Sequence, residues 1–132
     1  QAVGAAHAGW RGTAAGIAAR TVTAMVQEFG CHPDHIRAAI GPCIGPCCFE
    51  TDEDVPAAMV AALGSEAEHA ISGHGPKYHV DLKELNRIWL RRAGVRQIAV
   101  CPDCTACRPD RYWSHRVTRG DRGSLAALIQ LP

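Results

Sequence analysis

The sequence lacks a large excess of charge of either sign and has no long apolar run. Lysine and arginine number 14 against 13 for aspartate and glutamate, and the formal net charge is +1. This balance gives no electrostatic basis for a nucleic-acid partner. No apolar stretch approaches the roughly 20 residues that a membrane-spanning helix needs, so no membrane partner is expected. No basic-then-apolar leader is visible, and we expect a cytoplasmic location.

Internal repeats, low-complexity tracts and H-x-H pairs of histidines are also lacking. A chain of 132 residues, 47% hydrophobic and 20% charged, has the size and composition of one globular domain. Cysteine, in contrast, is abundant. The count of 7 is odd, so complete disulfide pairing would leave one thiol over. Grouped cysteines in a cytosolic protein more often serve metal binding, catalysis or packing.

Strand and helix patterns alternate along the chain. Apolar positions spaced by three and four predict a helix that ends at Gly30. Asp81, with Glu84 three residues later, predicts the capped start of another helix. Further helix is predicted at residues 55–63, strands at 2–8, 36–40, 78–80, 95–101 and 124–131, and loops at 41–48, 65–77 and 104–123. The fold class is therefore α+β with α/β-type alternation, a mixed β-sheet flanked by helices.

The strongest local motif is HAGWRG at residues 7–12. A histidine at the end of a strand, followed by small residues, can project into a cleft as a zinc ligand. Arg11 lies where the chain turns into a helix, and a guanidinium beside helix N-terminal N–H groups suits phosphate. His7 is thus a candidate metal ligand and Arg11 a candidate phosphate-binding residue. The alternative is a core histidine with satisfied hydrogen bonds beside a surface arginine.

A second motif, GPCIGPCCFE at residues 41–50, carries Cys43, Cys47 and Cys48 in a loop shaped by proline and glycine. These thiols are candidate ligands, nucleophiles or packing groups. Adjacent cysteines are expected to point in different directions. Cys47 and Cys48 are therefore not expected to bind one metal ion together.

A third motif contains two overlapping C-x-x-C units, formed by Cys101, Cys104 and Cys107. Such units can hold zinc or an iron–sulfur cluster. A four-ligand site would need one more donor, from His115 or from the loop at residues 43–48. A disulfide and thiols without a ligand role are the alternatives.

A fourth motif, YWSHR at residues 112–116, places aromatic side chains beside His115 and Arg116. Aromatic rings can stack on a base, and Arg116 can hold a phosphate. The alternative is aromatic packing beside an exposed arginine.

Together and in this order, these motifs resemble the laccase-domain family, whose members carry both HAGWRG and GPCIGPCCFE-type segments. The similarity continues through YHVDLKELNRIWLRRAGV at residues 78–95 and GSLAALI at residues 123–129. It implies an α+β protein that cleaves purine nucleosides with phosphate, with adenosine deaminase and methylthioadenosine phosphorylase activity as further possibilities. Older labels describe copper-dependent polyphenol oxidases, but multicopper oxidation needs closely spaced histidines.

The resemblance also implies a catalytic zinc held by two histidines and one cysteine. His7 matches one of these histidines, and Arg11 would act with it as a catalytic residue. The other two ligands lie in upstream Q-V-H-G and A-D-C type motifs, and neither motif occurs here. We therefore expect residues 1–132 to be the C-terminal portion of a single laccase domain, cut within a strand and completed by an N-terminal half. A zinc-binding protein without enzymatic activity, built on Cys101, Cys104 and Cys107, is the remaining alternative.

Overall fold

The computed structural model describes residues 1–73, 75–119, 121 and 123–131. The helices are α1 (Trp10–Ala14), α2 (Ile17–Phe29), α3 (Asp54–Leu63), α4 (Leu82–Arg92) and α5 (His115–Thr118), with 3-10 turns at Pro33–His35 and Gly64–Ala70. The strands are β1 (Arg37–Ile40), β2 (Glu50–Thr51), β3 (Ile71–Ser72), β4 (Tyr78–Val80) and β5 (Gln97–Val100). Among the described residues, no helix combines the length and hydropathy needed to cross a membrane.

The strands form two small sheets. β1 and β5 pair in parallel, with Arg37 opposite Gln97 and Ile40 opposite Val100. β4 lies between β2 and β3 and is antiparallel to both. The predicted fold class is confirmed, because helices accompany both parallel and antiparallel strands. The two kinds of pairing are divided between separate sheets.

Helix α4 lies between two apolar clusters. On one side, Leu85 and Ile88 pack with Met59 and Leu63 of α3 and with Val80 of β4. On the other side, Leu90 of α4 forms a second cluster with Val22 and Val95. Because these leucine and isoleucine residues lie on two sides of α4, this one helix packs against α2, α3 and both sheets.

The predicted start of α4 is confirmed. The carboxylate of Asp81 accepts hydrogen bonds from the backbone N–H groups of Lys83 at 2.9 Å and Glu84 at 3.1 Å. The Glu84 carboxylate accepts a hydrogen bond from the guanidinium of Arg87 at 2.7 Å. Helix α2 ends at Gly30, also as predicted.

Two predicted strands are wrong for this chain. Residues 2–8 and 124–131 form no β-ladder, and Val3 and Leu128 are exposed, Leu128 by 97%. An extended segment is stable as a strand only when a neighbour satisfies its backbone groups. Within the described part of the chain, neither segment lies against such a neighbour.

Two predicted loops hold more structure than expected. The segment at 65–77 includes most of the 3-10 turn Gly64–Ala70 and the strand β3, and the segment at 104–123 includes α5. Both elements are short, and periodicity is a weak signal over so few residues. His74, Gly120 and Arg122, within these two loops, lie outside the described residues.

Buried polar contacts join α4 to α1. The amide of Asn86 donates to the hydroxyl of Thr13 at 2.9 Å, and the Trp89 indole donates to the Thr13 carbonyl at 2.8 Å. The Trp89 ring also lies against Gly16, whose φ of +70° suits glycine. α4 therefore fixes the position of α1 and of the HAGWRG segment that leads into it.

Candidate functional site

The HAGWRG segment lines an open recess at the start of α1. His7, Gly9, Trp10, Arg11 and Gly12 form its wall. The segment is held from behind, because the Thr13 hydroxyl donates to the carbonyl of Ala8 at 3.3 Å. The structure thus brings together the two candidate residues that the motif identified, His7 and Arg11.

His7 is exposed rather than buried in the core. Its ring folds over Gly9, where an added Cβ would lie 3.1 Å from His7 Nε2. Within the described part of the chain, its ring makes no hydrogen bond. The alternative of a satisfied core histidine therefore does not apply, and the imidazole remains available as a donor to a metal ion.

Arg11 is exposed and stacks on its neighbour Trp10. The guanidinium carbon lies 4.2 Å from the centroid of the ring. Among the described residues, no carboxylate forms an ion pair with Arg11. A stacked guanidinium keeps its N–H groups directed outward, which suits a bidentate contact with an oxyanion.

Arg116 lies elsewhere and does not line the recess. Its guanidinium donates to the Glu50 carbonyl through both terminal nitrogens at 3.0 Å, and to the Cys48 carbonyl at 3.4 Å. The group also lies over the Phe49 ring. In this position Arg116 holds the segment that follows the cysteine loop. Its predicted phosphate contact stays a prediction.

Of the two aromatic residues in the YWSHR motif, one is hydrogen-bonded within the protein and the other is exposed. The Tyr112 hydroxyl donates to the carboxylate of Asp103 at 2.8 Å. This hydrogen bond favours the protonated phenol and raises the pKa of Tyr112. Trp113, in contrast, is 52% exposed.

Four sulfur atoms from the two cysteine loops form one cluster. The Sγ atoms of Cys47, Cys48, Cys104 and Cys107 all lie within 4.8 Å of one another. Cys107 Sγ lies 3.6 Å from Cys47 Sγ and 3.4 Å from Cys48 Sγ. This tetrathiol cluster has the composition of a metal-ion site.

The cluster forms because β1 and β5 are parallel neighbours. Parallel strands end at the same edge of a sheet, so the loops that follow them lie side by side. The pairing continues past the strands as a bridge between Cys43 and Cys104, and Thr105 N donates to the Cys43 carbonyl at 3.0 Å.

The expectation that Cys47 and Cys48 point in different directions is wrong, because both sulfurs lie beside Cys107 Sγ. Residues 46–48 form a tight turn in which the N–H groups of Cys48 and Phe49 both donate to the Gly45 carbonyl. Side chains alternate in direction along an extended strand but not in such a turn. Cys104 and Cys107, the second C-x-x-C unit, are therefore joined in the cluster by Cys47 and Cys48. Neither Cys101 nor His115 belongs to it.

Cys104 is the buried member of the cluster. Burial alone would raise the pKa of its thiol, but backbone N–H groups of Gly45, Cys107 and Ala106 donate to the sulfur and lower that pKa to about 6. The Gly45 nitrogen lies 3.2 Å from the sulfur. Cys43, outside the cluster, behaves oppositely, because burial raises the pKa of its thiol to about 11.

The side chain of Lys83 was not predicted as part of this region. It is only 7% exposed, and its ammonium group donates to the carbonyls of Cys101 at 2.9 Å and Asp103 at 3.0 Å. Buried lysine is rare without a polar partner, and these two backbone carbonyls are the partners here. Lys83 anchors the loop that carries Cys104.

Comparisons with known proteins agree on one family. The model of the multi-copper polyphenol oxidoreductase laccase family matches residues 1–132. The chain is 42% identical over 130 residues to purine nucleoside phosphorylase YlmD of Geobacillus stearothermophilus, covering 96% of this chain and 47% of the relative. It is 38% identical over 129 residues to purine nucleoside phosphorylase YfiH of Escherichia coli, covering 98% and 51%.

Solved structures give the same result. The crystal structure of YlmD from Geobacillus stearothermophilus superposes with a TM-score of 0.84 at 41% identity, covering 89% of this chain and 45% of that one. The chain therefore spans about half the length of the bacterial relatives that it matches.

Proposed function

Because the chain belongs to the multi-copper polyphenol oxidoreductase laccase family, we propose that it forms part of a zinc-dependent purine nucleoside phosphorylase. Two relatives of 38% and 42% identity bear the name purine nucleoside phosphorylase. In this proposal residues 1–132 are the C-terminal portion of one domain. The substrates are purine nucleosides and phosphate, and adenosine deamination is a further activity of the same site.

The observation that carries the proposal is the recess that pairs His7 with Arg11. An exposed imidazole and a stacked guanidinium that is free of carboxylates lie in the same wall. Metal ligation needs the imidazole, and anion binding needs the guanidinium. Gly9 leaves room for the ring of His7, and α4 holds the segment through Thr13.

The described residues offer this recess a single imidazole donor. A catalytic zinc takes three protein ligands, so the other histidine and the cysteine would come from the N-terminal half of the domain. The donor that is present fits, since His7 is exposed and unbonded within the described part of the chain. When bound, zinc would supply positive charge that polarises phosphate or water.

In the proposed reaction, Arg11 and Trp10 position the phosphate. Arg11 binds the phosphate dianion and orients one oxygen toward C1′ of the ribose. The bond from C1′ to the purine nitrogen breaks as the new C–O bond forms, and the departing base takes the proton that the hydrogen phosphate dianion gives up on becoming ribose 1-phosphate. Trp10 holds the guanidinium of Arg11 in a fixed plane, so that little side-chain entropy is lost when phosphate binds.

The test uses the intact gene product and the variant His7→Ala. We expect loss of one equivalent of zinc and loss of phosphate-dependent inosine cleavage, measured by metal analysis and by chromatography of hypoxanthine. His35→Ala, a histidine in the 3-10 turn Pro33–His35, is the matched control. If His7→Ala keeps both its zinc and its nucleoside cleavage, His7 is not a ligand.

A second variant separates phosphate binding from metal binding. Arg11→Ala should raise the KM for phosphate while leaving zinc content and the KM for inosine unchanged. Arg20→Ala, an exposed arginine on α2, serves as the control. An unchanged KM for phosphate would remove Arg11 from the proposed site.

The polyphenol oxidase alternative finds less support in these residues. The seven histidines include no H-x-H pair. Among the described residues, the group of donors that could share a metal ion consists of thiols, without histidine. Oxidation of a phenol by the copper-loaded intact gene product, retained after His7→Ala, would favour the oxidase.

A further inference from the structure

We propose that Cys47, Cys48, Cys104 and Cys107 together bind one zinc ion in a closed tetrathiolate site. The site would be structural, and it would clamp the loop that follows β1 to the loop that follows β5. It shares no residue with the recess of His7 and Arg11.

The sulfur spacing fits a single ion. A zinc–sulfur bond of about 2.3 Å implies tetrahedral edges of about 3.8 Å between sulfurs. The Sγ atoms here lie within 4.8 Å of one another, and two of these separations are 3.6 and 3.4 Å. A cluster of several iron and sulfide ions would need a wider opening between its thiolates. Small movements of the side chains would place all four sulfurs around one ion.

The donor set selects the kind of metal. Four thiolates are soft ligands, and a tetrahedral set of four sulfurs favours zinc over magnesium, calcium or manganese, which prefer oxygen. With all four positions taken by protein, no position is open for substrate. A closed site of this kind contributes to folding rather than to chemistry.

The surroundings of Cys104 favour a thiolate. The Gly45 N–H donates to the sulfur of Cys104 at 3.2 Å, and a hydrogen bond of this kind stabilises negative charge on sulfur. Two cations also hold the ligand loops, since Lys83 donates to the carbonyl before Cys104 and Arg116 donates to the carbonyl of Cys48. Four thiolates around a divalent ion leave two negative charges, which these cations partly offset.

The geometry does not single out a disulfide. Cys107 Sγ is nearly equidistant from Cys47 Sγ and Cys48 Sγ, so no pair of thiols is preferred. One disulfide would engage only two of the four sulfurs. A single ion uses all four sulfurs at once.

The experiment compares zinc content in the intact gene product, purified under reducing conditions. The double variant Cys47→Ser/Cys48→Ser should lose one equivalent of zinc relative to the unmodified protein. Cys31→Ser/Cys101→Ser, which removes two thiols outside the cluster, should lose none. Equal zinc content in the cluster variant and the unmodified protein would overturn the proposal.

A second measurement does not depend on the folding of a variant. The unmodified protein, reconstituted with Co²⁺, should show intense thiolate-to-cobalt charge-transfer absorption together with the visible bands of a tetrahedral ion. In His7→Ala the spectrum should lose only the weaker contribution of the catalytic site, which has one thiolate, and should keep the stronger bands of the four-thiolate site. Cys47→Ser/Cys48→Ser should lose those stronger bands, so loss of the proposed catalytic zinc and loss of the tetrathiolate site are distinguishable. A protein without these bands, or with Cys107 in a disulfide by non-reducing peptide mapping, would contradict the proposed site.

Discussion

The side-chain amide of Asn86 donates a 2.9 Å hydrogen bond to the hydroxyl of Thr13, across 73 positions of sequence. Both residues are buried, Thr13 completely and Asn86 at 5% exposed. Asn86 also donates to the Leu82 carbonyl at 2.7 Å, so its orientation is fixed by its own helix. This contact transmits the position of α4 to the segment that carries His7 and Arg11.

The variant Asn86→Ala should lower the free energy of unfolding by about 1–3 kcal/mol, because the buried Thr13 hydroxyl loses the hydrogen bond that it accepts from Asn86. Thr13→Val should have a similar cost. The double variant should cost less than the sum, with a coupling of about 0.5–3 kcal/mol. Denaturant titration of the intact gene product measures all three. Strictly additive effects would mean that the contact contributes nothing of its own.

The variant Gly9→Ala should disturb His7 without disturbing the fold. Gly9 has φ of −64° and ψ of 171°, which alanine adopts without strain. The added Cβ would approach His7 Nε2 to 3.1 Å, so the ring must move. We expect a lower zinc affinity and slower nucleoside cleavage at unchanged thermal stability.

The control for this variant is Gly41→Ala, where an added Cβ meets nothing within 4 Å. It should change neither zinc affinity nor cleavage. If Gly9→Ala behaves like Gly41→Ala, the orientation of His7 over Gly9 is unimportant for the activity.

Much of the fold could be predicted from local pattern. The cap at Asp81 and the end of α2 at Gly30 depend on neighbours close in sequence, and the structure has both. The strands predicted at residues 36–40 and 95–101 are also present, because each has the other as its pairing partner. The strands expected at residues 2–8 and 124–131 depend on a pairing partner. Periodicity reports that a segment is apolar and extended, but not whether a neighbouring strand is present to bond it.

The candidate site residues also fall into those placed by a local motif and those brought together by strand pairing. His7 and Arg11 lie four residues apart, so a single motif places them together. The tetrathiol cluster joins residues about 60 positions apart, and it exists because β1 and β5 are parallel neighbours. Strand order is a tertiary property that no local pattern supplies. The loop at residues 41–48 was predicted, but the turn at residues 46–48 within it brings two adjacent side chains together, contrary to the expectation.

The variant Lys83→Met should loosen the loop that carries Cys104. It keeps a side chain of similar length but removes the ammonium group that bonds the carbonyls of Cys101 and Asp103. We expect a loss of about 2–4 kcal/mol in the free energy of unfolding, because hydrogen bonds from a charged donor are lost and the two carbonyls stay partly buried. Arg91→Met, at an exposed position of α4, should cost under about 0.5 kcal/mol. Equal costs in the two variants would show that the Lys83 contacts do not stabilise the loop.

The variant Arg116→Ala decides between two roles for this residue. The structure gives it three hydrogen bonds to the carbonyls of Cys48 and Glu50, while the sequence motif predicts a phosphate contact. Because the guanidinium is exposed, we expect a loss of about 1 kcal/mol in the free energy of unfolding and an unchanged KM for phosphate. Denaturant titration and steady-state kinetics of the intact gene product provide the two readouts.

Arg116→Lys is the matched variant, since it keeps the charge but cannot reach two carbonyls with one planar group. For a residue that holds the Cys48–Glu50 carbonyls, lysine should restore only part of the stability and should again leave the KM for phosphate unchanged. A KM for phosphate that rises in Arg116→Ala and recovers in Arg116→Lys would instead place Arg116 at the anion, as the motif predicts. In that case the carbonyl contacts would belong to the protein without substrate, and phosphate would have to displace them.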